Sequence, residues 1–193
     1  MSDNFFVNVL NQARKSKSLV CVFRDPTDLR RFAVGYVVAV GTHDYTLQQI
    51  DPDGNPDGLD VGVLDDIIEV RRDSRYTRQM TLLMEHKNNL ASGESPWQAP
   101  ANPESCLEAV LDQAKKDKLV VNVLVATGED EIRFFALVRE LSDSHACFDV
   151  LTDDGESDGS STLRLDDIAG LQINTREERK IALFNRHRTH LYL

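Results

Sequence analysis

The sequence predicts an α+β, mainly β protein: two tandem five-stranded barrels, each with an N-terminal and a C-terminal helix. Three observations predict it: an ungapped internal repeat, helix-spaced and strand-like runs recurring in one order, and a proline-rich segment between the copies. Residues 9–87 realign on 110–188; Val9 with Val110 and His86 with His187 both give an offset of 101. Val9-Leu10-Asn11-Gln12-Ala13 returns as Val110-Leu111-Asp112-Gln113-Ala114, and Leu64-Asp65-Asp66-Ile67 as Leu165-Asp166-Asp167-Ile168. A period this long is too large for a solenoid unit and suits a small domain.

Each copy opens on an amphipathic helix. Phe5, Phe6, Val9, Leu10 and Ala13 keep the spacing of one helical face, as do Cys106, Leu107, Val110, Leu111 and Ala114. Ser105 with Glu108 has the form of a capping box. Arg14-Lys15 and Lys115-Lys116 supply the cations favoured at a helix C-terminus.

Five strands follow. Leu19–Phe23 and Leu119–Val125 are apolar and rich in β-branched residues. Arg31–Val40 and Ile132–Leu141 form the second strand, with Gly35 or Ala136 inside it; a strand glycine marks a bend or close approach. Tyr45–Ile50 and Ala146–Leu151 form the third. The Asp/Gly segments 51–58 and 152–159 then turn the chain into Leu59–Leu64 or Ser160–Leu165. Asp65-Asp66 and Asp166-Asp167 make a corner before Ile67–Arg71 or Ile168–Ile173. The last helix of the second copy has Thr175 and Glu178 at capping-box spacing. Short, bent strands with too little material for two large sheets favour a small barrel.

The domains expected are 1–88, a Pro/Ser/Gly linker over 89–103, and 104–193. Trp97, the only tryptophan, falls in the linker and is expected to pack on one domain or between the two. No apolar run reaches the ~18 residues of a membrane helix, and no secretory leader is expected, since Met1-Ser2-Asp3-Asn4 lacks a basic segment ahead of an apolar core. Cys21, Cys106 and Cys147 do not correspond between copies, so free thiols in a reducing cytoplasm are expected rather than a disulfide framework.

Leu19–Phe23, Gly35-Tyr36-Val37 through Leu47, and Val63-Leu64-Asp65-Asp66-Ile67 resemble the Sm-like group of small SH3-like barrels. Ala136-Leu137-Val138 through Phe148, then Arg164-Leu165-Asp166-Asp167-Ile168, repeat the pattern. The resemblance implies a helix followed by five bent strands, and assembly through strand edges. The family's base-contacting Asp and Asn fall here on Gly41 and Tyr45, and on Ser142 and Ala146. RNA recognition at that group's usual rim is therefore not implied.

Chemistry-bearing residues are few. The Asp51–Gly58 segment has oxygens at alternate positions, but an EF-hand needs Gly sixth and Glu twelfth, where Pro56 and Gly62 stand; it reads as a turn. Paired Asp65-Asp66 and Asp166-Asp167 have no partner base, and the five histidines lack metal-ligand spacing. No catalytic residue, cofactor or metal is expected, and the chain reads as a non-enzyme. Arg75, Arg78, Arg176 and Arg179 recur in both copies. With Arg71, Arg72, Tyr45 and Tyr76 they are the candidate contacts for an anion or RNA.

A net charge of −10 disfavours nucleic acid at long range. The function expected is a non-catalytic macromolecular interaction or assembly module, meeting a protein partner or itself through strand edges. Atypical RNA binding and small-ligand sensing are the alternatives.

Overall fold

Apolar spacing fixes which way each element faces, and helices on both sides of a sheet follow from it. The structure, a computed structural model, describes residues 5–28, 30–86, 103–127 and 130–191. Trp97 and most of the linker lie outside these residues. The chain divides into two units, Met1–Cys106 and Leu107–Leu193.

The first unit runs α1 (Phe5–Ser16), β1 (Leu19–Phe23), β2 (Ala33–Val40), β3 (Asp44–Ile50), β4 (Pro56–Val63), β5 (Glu69–Arg72) and α2 (Arg75–His86). Side chains alternate across a strand, so β1 divides between two cores. Val20 and Val22 join Leu10 and Ala13 of α1, with Tyr45 and Leu47. Leu19, Cys21 and Phe23 join Met80 and Met84 of α2, with Tyr36 and Ile50. All five β1 residues are buried. Burying a side chain such as Leu10 contributes about 1.5–3 kcal/mol.

The second unit runs α3 (Cys106–Asp117, its first residue counted in the first unit), β6 (Val120–Thr127), β7 (Asp130–Leu141), β8 (His145–Leu151), β9 (Ser157–Arg164), β10 (Ile168–Ile173) and α4 (Arg176–Leu191). A 3₁₀ turn over Leu165–Asp167 forms the corner. Ile181 of α4 packs on Val120 and Leu151, flanked by Phe135 and Leu137.

The expected closed barrels are not formed. In the first unit the strands lie in the order β5-β1-β2-β3-β4, and in the second β10-β6-β7-β8-β9, all neighbours antiparallel. A barrel needs a ladder between the two ends of such an order; here each unit's sheet is open. Helices cover both faces of the first sheet, so its apolar side chains are buried without the sheet curling onto itself.

Backbone detail repeats with the sequence. Positive φ occurs at Lys17 and Lys118, Asp73 and Asn174, Gly54 and Gly155, and Gly58 and Gly159, each pair 101 residues apart. The Asp/Gly segment is a turn: Asp51 accepts the Gly54 N–H through its carbonyl and the Asn55 N–H through Oδ1. Thr152 does the same for Gly155 and Glu156. Bulges also correspond, between Val37 and Ala39 and between Val138 and Glu140. At Gly35 a Cβ would lie 2.1 Å from the Gln48 carbonyl oxygen, so close strand approach, rather than a barrel corner, requires glycine there.

Candidate interaction surfaces

An open sheet ends in strands with one unpaired side, and β9 is such a strand of the second unit. It pairs with β8, from His145 opposite Arg164 to Leu151 opposite Ser157, and has no described strand on its other side. Its residues Ser157-Asp158-Gly159-Ser160-Ser161-Thr162-Leu163-Arg164 are exposed or half-buried throughout. They include no proline or lysine, the residues with which natural edges are commonly blunted. Asp167 grips Arg164 through two hydrogen bonds of 2.9 and 3.0 Å, holding the end of the strand against the corner. By contrast β5 is four residues long and carries Glu69, Arg71 and Arg72. Among the described residues it pairs only with β1.

The second surface is a cleft of about 470 Å³ in the first unit, lined by Cys21, Phe23, Phe32, Arg71, Ser74, Arg75, Tyr76 and Gln79. Cys21, Phe23 and Arg71 come from adjacent strands on the face that α2 covers, and Arg71 sits opposite Cys21 in the ladder. Ser74 caps α2 by accepting the Thr77 N–H at 3.1 Å, which brings Arg75, Tyr76 and Gln79 to the rim. The Arg71 guanidinium lies 4.3 Å from the Phe23 ring centroid, and Glu69 holds it at 2.6 and 2.8 Å. Phe32 contacts Phe23 at 5.0 Å and meets Tyr76 edge-on at 5.3 Å. Burial pushes the Cys21 thiol up to about 11, only partly offset by Arg71, so it stays protonated at neutral pH. All three cysteines are free.

Of the eight residues singled out in the sequence, Arg71, Arg75 and Tyr76 meet in this cleft. Arg72, on the opposite face of β5, donates to Gln12 at 3.3 Å. Arg78 Nη1 donates to the Asp73 carbonyl at 2.6 Å, and Arg179 Nη1 to the Asn174 carbonyl at 2.5 Å. Arg176 is exposed at the start of α4. Arg179 lines a separate hollow of about 400 Å³ with Lys118, Glu178 and Arg186. Tyr45 is fully buried among the residues packed under α1, and burial raises its hydroxyl pKa despite Arg24 beside it.

Sequence reasoning missed Phe23 and Phe32 because both read as core. One signal for them was present in the repeat. Phe23, Phe32, Arg71 and Tyr76 align with Leu124, Arg133, Gln172 and Glu177, so the rings occur in the first copy only. Among the described residues no group of three or more His, Cys, Asp or Glu is placed to hold a metal ion. None of the described helices is long and apolar enough to cross a membrane. No family model, curated protein or solved structure matches the chain.

Proposed function

We propose that the chain is a non-catalytic assembly module that associates with further copies of itself through strand edges. The exposed β9 edge carries this reading: eight residues long and, among the described residues, paired on one side only, it offers backbone donors and acceptors to another strand. Every copy also has the β5 edge, so β9 of one chain pairing with β5 of the next would give a heterologous contact, the kind that builds a ring where its rotation closes. Three free thiols, two of them buried, suit a reducing cytoplasmic setting.

A photo-crosslinking residue placed at Thr162 in living cells tests the reading. The expected product joins β9 to residues 69–72 of a second copy. Crosslinks only to RNA or to small molecules would reject it. Arg71, Arg75 and Tyr76 around one cleft favour atypical RNA binding as the second reading. That reading requires salt-sensitive affinity for short single strands.

A further inference from the structure

The first-unit cleft contains more chemistry than its fold requires. The second unit also forms a helix, five strands and a helix, with leucine, arginine, glutamine and glutamate where the first has Phe23, Phe32, Arg71 and Tyr76. Packing alone therefore does not explain three rings and a stacked guanidinium around one opening. Phe23 forms the buried base, 1% exposed, whereas Tyr76 is 37% exposed.

Arg71 is held in a fixed plane by Phe23 beneath it and by Glu69, which takes Nε and Nη2. Among the described residues Nη1 has no partner. Arg75 has no ion pair among the described residues. It lies in the first turn of α2, where the Arg75 and Tyr76 N–H groups likewise have no described partner. A helix start of this kind favours an anion. Within residues 69–79, four arginines stand against Glu69 and Asp73, so this segment is locally cationic in a chain of net charge −10.

We infer that this cleft binds a small planar aromatic anion, a ring carrying a phosphate or a carboxylate. The ring stacks among Tyr76, Phe32 and the Arg71 guanidinium, an arrangement favoured by aromatic and cation–π attraction. Arg75 and the start of α2 take the anionic group. Volume agrees: about 470 Å³ lies within the ordinary range for a small-ligand pocket.

The test is calorimetric and NMR titration of the full chain with adenosine monophosphate and, separately, indole-3-carboxylate. At least one probe is expected to bind at one site with Kd at or below about 1 mM, shifting amides of residues 71–79 but not 172–180. Binding by adenosine monophosphate alone identifies phosphate as the recognised group; binding by indole-3-carboxylate alone identifies carboxylate. Tyr76→Ala and Arg75→Ala, both at exposed positions, should each weaken it about tenfold, and Glu177→Ala in the second unit should not. The inference is overturned if neither probe binds by about 10 mM. It is equally overturned if both first-unit variants bind as well as the parent, or if only an oligonucleotide binds.

Discussion

Arg24 and Asp60, 36 residues apart in sequence, meet inside the first unit with Arg24 Nη2 donating to Asp60 Oδ2 at 2.8 Å. The Asp60 side chain is 3% exposed and that of Arg24 26%. Burial disfavours the Arg24 charge, but Asp60, Tyr45 and Asp66 together outweigh it and the guanidinium pKa is raised. Gly62 makes the room: a Cβ there would lie 2.6 Å from Arg24 Nη1 and 2.7 Å from the Tyr45 hydroxyl. Arg24→Ala should therefore take a charged partner from a buried carboxylate and cost about 3–5 kcal/mol in urea unfolding. A loss below about 1 kcal/mol, the range of an exposed pair, would contradict that assignment.

The equivalent arginines Arg78 and Arg179 should behave alike, because each closes the same turn onto a carbonyl just before its helix. Alanine at either position is expected to cost about 1 kcal/mol, read from chemical denaturation. If the two serve an anion instead, the substitutions will leave stability unchanged and alter only ligand affinity.

Gly35 and Ala136 occupy one position in the repeat but differ in consequence. Gly35→Ala forces a methyl against the Gln48 carbonyl and should cost about 1–3 kcal/mol by overpacking. Ala136→Gly should cost only about 0.5–1 kcal/mol through chain entropy. Thermal unfolding of both variants tests the asymmetry; a neutral Gly35→Ala would mean that the two strands separate easily.

Glu178 gives the second unit a pH signature. Its Oε2 accepts the Thr175 N–H at 2.7 Å, while Oε1 is buried with no partner among the described residues. Burial raises its pKa from the usual 4.5, opposed by the bonds to Thr175. Because the folded value exceeds the unfolded one, stability from this group is complete below about pH 4.5 and falls as pH rises through the folded pKa. Glu178→Gln should show less of that fall between about pH 4.5 and 7. Unfolding curves across this range check it, and parallel pH profiles for both proteins would contradict it.

Helix positions were legible because Leu10, Ala13, Val110 and Ala114 carry the 3.6-residue period and are all fully buried. The turns were legible from Gly54, Gly58 and their counterparts, which do adopt positive φ. Closure was not legible. Whether the strand at Glu69–Arg72 pairs with the one at Pro56–Val63 depends on distant hydrogen bonds that leave no local period. Tyr45 is a candidate stacking contact by residue type alone, yet strand alternation sets it beside Leu47 under α1, in a strand buried on both faces. The cleft escaped notice because Phe23, Phe32 and Tyr76 are far apart in the chain and meet only when α2 folds back over β1.

Solution mass tests the assembly most directly. Sedimentation of the 21.7 kDa chain at about 1–100 µM, a range spanning ordinary transient affinities, is predicted to show a closed oligomer. Proline placed singly at Ser160 and Ser161 should, at whichever residue points its N–H away from β8, return the protein to monomer with its fold intact. A species of single-chain mass at every concentration would contradict assembly through the strand edge.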